Sequence, residues 1–180
     1  MSKLKNVKVL TTVAMLLAMA TVLGFFKLPL TNLVEIRFGF IPVAIGGALF
    51  GPAVGGVLGG LADVLGYLAK PTGAFFPGFT ISSIVGGIIF GLVLHSGKGL
   101  HGDNKSAVIR IFIAELVYTI VVGLLMNSYN LSLLYGTPFA VTVSTRILKE
   151  IVMLPINTAI LSVCLIPSHK MAMHVLKTNE

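Results

Sequence analysis

Apolar segments long enough to cross a membrane occupy most of this 180-residue chain, and they constrain its fold more than any other feature. Hydrophobic residues make up 56% of the sequence. Asp, Glu, Lys and Arg together make up only 11%, against about 25% in an ordinary soluble domain. Water solvates such a chain poorly, so the composition excludes a soluble globular domain. Because one membrane-crossing helix needs about 20 apolar residues, about six such helices would fill the chain.

We therefore predict an all-α polytopic membrane protein in which residues 1–180 form a single compact bundle of six transmembrane helices. The predicted spans are approximately 9–26, 36–50, 52–69, 79–95, 107–126 and 141–166. Pro52 cannot continue the hydrogen bonding of the helix before it, so the corner at Gly51 predicts a hairpin of the second and third spans. Glycines recur at four-residue spacing between Gly47 and Gly91, which favours close helix packing in lipid.

Basic residues indicate the orientation of the bundle, because cytoplasmic loops carry an excess of Lys and Arg. With the amino terminus in the cytoplasm, eight of the 13 basic residues fall on the inner side and five on the outer side. This bias predicts that both termini are cytoplasmic. Five outer cations are nevertheless unusual, and they are candidates for binding an anion: Lys27, Arg37, Lys70, Arg146 and Lys149.

Three charged residues, Arg146, Lys149 and Glu150, lie in the first turns of the predicted sixth span. Spacings of three and four residues place them on one side of the helix. Two cations near a helix amino terminus oppose the helix dipole, so a bound anion would be favoured by both the cations and the dipole. The alternative is an Arg146–Glu150 pair at the membrane interface. Arg37 begins the second span, where it is either another cation of this site or the partner of Glu35.

Other polar residues lie within the spans, where an unpaired charge is costly. Asp63 is in the glycine-rich third span, one turn before Tyr67, and it needs either an internal partner or a ligand that donates hydrogen bonds. Glu115 lies in the middle of the fifth span, and we expect it to be paired with a cation or protonated.

Aromatic and amide groups accompany the outer cations. Phe76 and Phe79 precede Ser83 at the start of the fourth span, and Asn127 begins a predicted outer loop that also contains Tyr129. Such rings either form an aromatic belt at the interface or stack on a flat ligand. Together these groups favour a site for a flat, hydrogen-bonding, negatively charged molecule.

The sequence shows no catalytic constellation, no nucleotide-binding Walker A motif and no pattern typical of a metal site. We therefore expect that the chain is not an enzyme, holds no metal and cannot hydrolyse ATP by itself. A small intramembrane enzyme and a purely structural bundle are the alternatives from other classes of protein.

Several stretches resemble a known family. They are Ala14-Met-Leu-Leu-Ala18, Arg37-Phe-Gly-Phe-Ile-Pro42, Gly46-Gly-Ala-Leu-Phe-Gly-Pro52, Leu61-Ala-Asp63, Gly73-Ala-Phe-Phe-Pro-Gly-Phe-Thr80 and Leu133-Leu-Tyr-Gly-Thr-Pro-Phe139. Over nearly the whole chain the sequence is similar to the substrate-binding S components of energy-coupling factor (ECF) transporters. It most resembles the folate-specific S components.

This resemblance implies a multi-pass protein of the bacterial cell membrane that captures folate at the extracellular face. Delivery inward would need a transmembrane coupling subunit and two cytoplasmic ATPases. Those ATPases would bind the ATP, and the chain would need no cofactor. Ala14 and Ala18 would contact the coupling subunit. The alternative is an S component for another vitamin, either pantothenate or a queuosine precursor, although pantothenate has no fused ring to use the aromatic groups.

Folate matches the chemistry of the outer residues. Its pterin ring offers donors and acceptors to carboxylate, hydroxyl and amide groups, its flat rings suit aromatic side chains, and its glutamate tail offers two carboxylates to cations. We predict a substrate site formed by ten residues: Arg37, Phe38, Asp63, Tyr67, Phe76, Phe79, Ser83, Asn127, Arg146 and Lys149.

Overall fold

The structure is a computed structural model that describes residues 7–31, 34–71, 75–95 and 104–177, with the backbone alone at residues 8, 27–31, 34–37 and 169–177. Over these ranges the chain forms helices and one short hairpin. The elements are α1 (Val7–Phe25), β1 (Lys27–Thr31), β2 (Val34–Arg37), α2 (Phe40–Phe50), α3 (Pro52–Ala69), α4 (Pro77–Leu94), α5 (Asn104–Tyr118), a π-helical segment (Thr119–Met126), α6 (Asn127–Tyr135) and α7 (Phe139–Lys177).

The predicted helical membrane fold is confirmed. Within the described ranges four helices are long and apolar enough to cross a membrane: Pro52–Ala69, Pro77–Leu94, Asn104–Tyr135 and Phe139–Ser168. The apolar segment Val9–Phe25 of α1 is shorter than these four, and the 11 residues of α2 extend only about 16 Å at 1.5 Å per residue, roughly half of a hydrocarbon layer. Six crossings and two cytoplasmic termini therefore stay predictions.

The β-hairpin corrects the predicted start of the second span. Residues 36 and 37 belong to strand β2, which pairs antiparallel with β1 so that Lys27 lies opposite Arg37. The sequence Val34-Glu-Ile-Arg37 alternates apolar and charged residues, which is the pattern of a strand. Helix α2 begins only at Phe40. The predicted start was wrong because Ile36 belongs to the alternating pattern of strand β2 and not to the continuous apolar run of α2.

The predicted outer loop that contains Asn127 and Tyr129 is also wrong, because the structure continues the helix there. Residues Asn104–Tyr135 form one helix of 32 residues, in which the π-helical segment joins α5 to α6. Polar residues alone do not end a helix. The helix ends where Gly136 adopts a left-handed conformation, with φ 66°, and Pro138 follows two residues later.

Glycines allow α3 and α4 to pack backbone against backbone. A Cβ atom built on Gly87 would overlap the carbonyl oxygen of Gly55, and one built on Gly59 would overlap the carbonyl oxygen of Ser83. Gly47 of α2 also approaches α4, although less closely, since its Cβ would lie 2.9 Å from the amide nitrogen of Gly91. The predicted internal packing role of these glycines is confirmed. Close packing of the backbones increases the dispersion energy between the helices, which is the main attraction between apolar helices in lipid.

The apolar core is shared by most of the helices. Its buried members include Leu16 of α1, Ala44 of α2, Leu58 of α3, Phe90 of α4 and Leu161 of α7. Each of these side chains is less than 9% exposed.

A polar contact joins α5 to α7 inside the bundle. Glu115 is fully buried, and the side-chain amide Nδ2 of Asn157 donates a hydrogen bond of 2.8 Å to its Oε1 atom. This amide partner differs from the cation that was one of the two predicted possibilities, and protonation of Glu115, the other possibility, stays a prediction. The contact forms because α5 and α7, which are far apart in the sequence, lie side by side. The sequence pattern of either helix alone does not predict it.

Contacts between the helices show which of their ends lie together. Gly55 faces Gly87 while Asp63 bonds Thr80, so α3 and α4 are antiparallel. Similarly, Gly123 faces Glu150 while Glu115 bonds Asn157, so the helix Asn104–Tyr135 is antiparallel to α7. Strand β2 contacts α7. The last turns of α3 and α6, the first turns of α2, α4 and α7, and the hairpin therefore lie at one end of the bundle, which we call the hairpin end.

Candidate functional site

The predicted site residues come from distant parts of the chain, and the helix directions place them toward the hairpin end. The last turns of α3 carry Asp63 and Tyr67, and the region around the start of α4 carries Phe76, Phe79 and Ser83. The remaining predicted residues lie in β2, just before α2, at the start of α6 and in α7: Arg37, Phe38, Asn127, Arg146 and Lys149. That this end faces the extracellular side stays a prediction.

Asp63 joins α3 to α4 at this end. Its Oδ2 atom accepts a hydrogen bond of 2.7 Å from the hydroxyl of Thr80, and its Oδ1 atom accepts one of 3.4 Å from the hydroxyl of Ser83. The internal partner that we considered for this carboxylate therefore exists. A carboxylate has about four acceptor positions, so Asp63 keeps room to accept from a ligand as well.

The two hydroxyl contacts give a first prediction. Thr80→Val should lower the stability of the protein in detergent by about 1–2 kcal/mol, because it removes a short hydrogen bond to a charged acceptor. Ser83→Ala should cost less, since its contact is at the distance limit of a hydrogen bond. Thermal unfolding of both variants measures the difference. A larger loss for Ser83→Ala than for Thr80→Val would contradict this geometry.

Aromatic side chains form two pairs beside Asp63. The Tyr67 ring lies 5.1 Å from the Phe75 ring at an interplanar angle of 56°, and Phe76 meets Phe79 edge to face at 5.9 Å. Tyr67, Phe76 and Phe79 are half-buried, so part of each ring is accessible. Phe38 instead packs against the apolar core of the bundle.

A buried polar contact between α4 and α6 was missed by the sequence analysis. The Asn130 amide donates a hydrogen bond of 3.0 Å to the hydroxyl of Ser82, which in turn donates to the carbonyl oxygen of Gly78. Asn130 is only 6% exposed and Ser82 only 2%. No local signal pointed to this contact, because Asn130 lies in the polar stretch Asn127-Ser-Tyr-Asn130. The contact fixes α6 against the start of α4.

The cations of α7 lie deeper in the helix than predicted. Helix α7 begins at Phe139, so Arg146 is two turns inside it, beyond the first turn to which the dipole effect is confined. The dipole argument for an anion at this position is therefore wrong. The Arg146–Glu150 pair that we considered as the alternative is present, with an Nη2–Oε1 distance of 3.5 Å. Lys149 is half-buried beside it.

Two further predicted residues are placed only in part. Arg37 ends strand β2, but its side chain lies outside the described part of the structure. Asn127 is half-buried at the first position of α6. Their predicted contacts with a ligand stay predictions.

An apolar surface accompanies the two alanines of α1. Ala14 and Ala18 are exposed. A shallow depression of about 520 Å³ lies between α1 and α3, lined by Ala18, Thr21, Val22, Leu65, Leu68 and Ala69. Small exposed side chains of this kind allow the close approach of another helix.

Comparison with known proteins gives the family. Residues 8–165 match the model of the ECF transporter substrate-specific component. The folate transporter FolT of Clostridium novyi (strain NT) is 37% identical over 158 residues, which cover 88% of each chain. The folate transporter FolT of Leuconostoc mesenteroides is 26% identical and covers 82% of this chain and 78% of its own length.

Two solved structures share the fold. A crystal structure of FolT bound with folic acid superposes with a TM-score of 0.73 at 28% identity, covering 87% of this chain and 91% of the other. The S component of a bacterial ECF transporter gives a TM-score of 0.65 at 27% identity over 94% of this chain. The family model, the sequence identity and the shared helical architecture all lead to the same assignment. The chain belongs to the family of substrate-specific S components of ECF transporters.

Proposed function

We propose that this membrane protein is the folate-binding S component of a bacterial ECF importer. The observation that carries the proposal is the similarity to FolT bound with folic acid, because it extends over 87% of the chain and includes sequence as well as fold. The FolT relative of Clostridium novyi supports it at a higher identity of 37%.

The proposed binding site is the hairpin end, which faces outward in the predicted orientation. Asp63, Ser83 and Asn127 form hydrogen bonds with the polar edge of the pterin. The exposed parts of the Tyr67, Phe76 and Phe79 rings stack on the flat rings of folate. The hydrogen bonds from Thr80 and Ser83 support this role, because they orient the Asp63 carboxylate before the ligand arrives.

The glutamate tail of folate would meet the cations of the site. Arg146, Lys149 and Arg37 are the groups that we assign to its two carboxylates. Arg146 supports this assignment because its side chain is 19% exposed and its Nε atom, which is buried, lacks a hydrogen-bond partner in the described structure. A guanidinium in such surroundings binds a carboxylate more strongly than one in bulk water.

The partners of the chain follow from the family. An S component acts within an ECF transporter, and we propose that this one works with a transmembrane coupling subunit and two cytoplasmic ATPases, which bind the ATP while the chain itself needs no cofactor. The exposed faces of Ala14 and Ala18 are the proposed contact with the coupling subunit. The neighbouring depression offers additional apolar area for the same helix-to-helix contact.

Titration of the purified protein with folate and with pantothenate tests the substrate. We expect saturable binding of one folate per chain and a rise of the thermal midpoint with folate only, because pantothenate has no fused aromatic ring and a single carboxylate. Mass spectrometry of small molecules that co-purify with the protein gives an independent result. Tight binding of pantothenate without binding of folate would reject the folate proposal in favour of another vitamin.

A further inference from the structure

The Arg146–Glu150 ion pair is too long to satisfy either partner fully. A charge-assisted N–H···O hydrogen bond is usually about 2.7–2.9 Å long, and an arginine commonly makes two in parallel to one carboxylate. Here a single contact joins Nη2 to Oε1 at 3.5 Å. The pair therefore neutralises charge without the strong two-point geometry that a guanidinium can reach.

Arg146 also keeps unused donor capacity. Its Nε atom is buried and has no hydrogen-bond partner in the described part of the structure. A guanidinium has five N–H donors, and leaving a buried one unsatisfied costs free energy. The side chain is 19% exposed, so an acceptor from outside can still reach it. Arg146 is thus neutralised but incompletely bonded.

The carboxylate of Glu150 has a defined place against the π-helical segment. A Cβ atom on Gly123 would lie 3.0 Å from both Cδ and Oε2 of Glu150. Glycine at this position leaves space for the carboxylate, and the side chain of Glu150 is only 13% exposed. π-Helical segments occur frequently at functional sites. Because Glu150 packs next to Gly123, its carboxylate has a defined position in the site and is not a freely solvated surface charge.

We propose that Glu150 is an internal counter-ion that occupies Arg146 while the site is empty and is displaced from it by a carboxylate of the bound ligand. The inference rests on the proposed function, since it concerns the same site. A ligand carboxylate must compete with Glu150 for one guanidinium, and the two carboxylates repel each other where solvent screening is weak. The affinity for an anionic ligand therefore includes the cost of displacing Glu150.

This arrangement has consequences for the empty protein and for selectivity. A partly buried guanidinium without a counter-ion would be costly, so Glu150 stabilises the empty state. Only a ligand whose carboxylate makes better hydrogen bonds than the single contact of 3.5 Å gains from displacing it. Simple carboxylates therefore do not displace Glu150 from Arg146. A ligand that is also held by its aromatic rings does.

Glu150→Gln tests the proposal, because the variant keeps the shape of the side chain and removes its charge. We expect folate to bind about three- to tenfold more tightly to the purified variant than to the wild type, measured by titration at the same ionic strength. Binding of an uncharged pterin, which lacks the glutamate tail, should be unchanged. Glu150→Asp provides a second variant. Its carboxylate is retracted from Arg146 by one methylene, so we expect a smaller gain in the same direction.

A double-mutant cycle with Arg146→Gln isolates the interaction. If Glu150 acts by competing for Arg146, the gain from Glu150→Gln should be smaller when Arg146 is already neutral. An equal or larger gain in the Arg146→Gln background would instead indicate direct repulsion of the ligand or a general effect of net charge, and it would overturn the proposal.

The outcomes separate this inference from the proposed function. If the wild type fails to bind folate, both are overturned. If the wild type binds folate but Glu150→Gln and Glu150→Asp bind it equally well or more weakly, only the role of Glu150 as a competitor is overturned. Weaker binding to both variants would indicate that Glu150 contacts the ligand directly as an acceptor.

Discussion

Arg146→Gln is expected to weaken folate binding by about tenfold to hundredfold, which corresponds to the roughly 1.5–3 kcal/mol of a hydrogen bond that involves a charged group. The physical reason is the position of Arg146, which is largely buried beside Glu150 and has an unsatisfied Nε atom. Arg146→Glu should have a larger effect, because it places two carboxylates four residues apart on one helix. Equilibrium titration with folate measures both variants.

Two controls distinguish a lost contact from a damaged fold. Removing Arg146 alone leaves Glu150 without its counter-ion, which destabilises the protein. The double variant Arg146→Gln/Glu150→Gln removes both charges, so we expect it to recover stability but not folate affinity. Arg146→Lys keeps the charge and loses the planar fork, so its affinity should lie between those of the wild type and Arg146→Gln. Wild-type affinity in a stable Arg146→Gln variant would remove Arg146 from the site.

Gly87→Ala should cause the largest loss of stability, about 3 kcal/mol or more. The new methyl group would overlap the carbonyl oxygen of Gly55. A side chain can rotate away from such an overlap, but a helix backbone cannot, so α3 and α4 must move apart. Their separation would also lengthen the hydrogen bond between Thr80 and Asp63. Thermal unfolding in detergent and folate titration should therefore both show a marked loss.

Gly66→Ala is the matched control for this substitution. Gly66 also lies in α3, but its Cβ atom would meet no other atom within 4 Å. Alanine is a better helix former than glycine by about 1 kcal/mol, so we expect unchanged or slightly increased stability. If Gly87→Ala and Gly66→Ala behaved alike, the close contact of α3 with α4 would not determine the stability of the bundle.

The fold class could be predicted from the sequence because it depends on composition and on local periodicity. The third span was predicted at the same limits as α3, Pro52–Ala69, since Pro52 and the break after Ala69 are local signals. The β-hairpin and the extension of α6 were not predicted. In both cases a short segment of mixed polarity has a structure that depends on its contacts with neighbouring elements. A local sequence pattern carries no information about those contacts.

The site was predicted as a set of residue types, and the structure shows which of them are in contact. Asp63 and Ser83 were both predicted, and their hydrogen bond was not. The contact between Asn130 and Ser82 was missed altogether. For Arg146, the sequence left open a pair with Glu150 or a bound anion, and the structure contains the pair. The contacts between different helices depend on the rotation of one helix against another, which spacing along a single helix does not define. The Arg146–Glu150 pair lies within α7 at a spacing of four residues, so spacing alone was enough to suggest it.

Composition alone indicates that this chain lies in a membrane, because so few charges cannot keep 180 residues in water. Residue chemistry also led to the prediction of which side chains bind an anionic, flat ligand, and that stays a prediction. The partner of Glu115 followed from helix packing, because the amide that bonds it belongs to Asn157, 42 residues away on another helix. The reason is that hydropathy is a property of each residue, whereas the partner of a buried charge depends on how the helices pack around it.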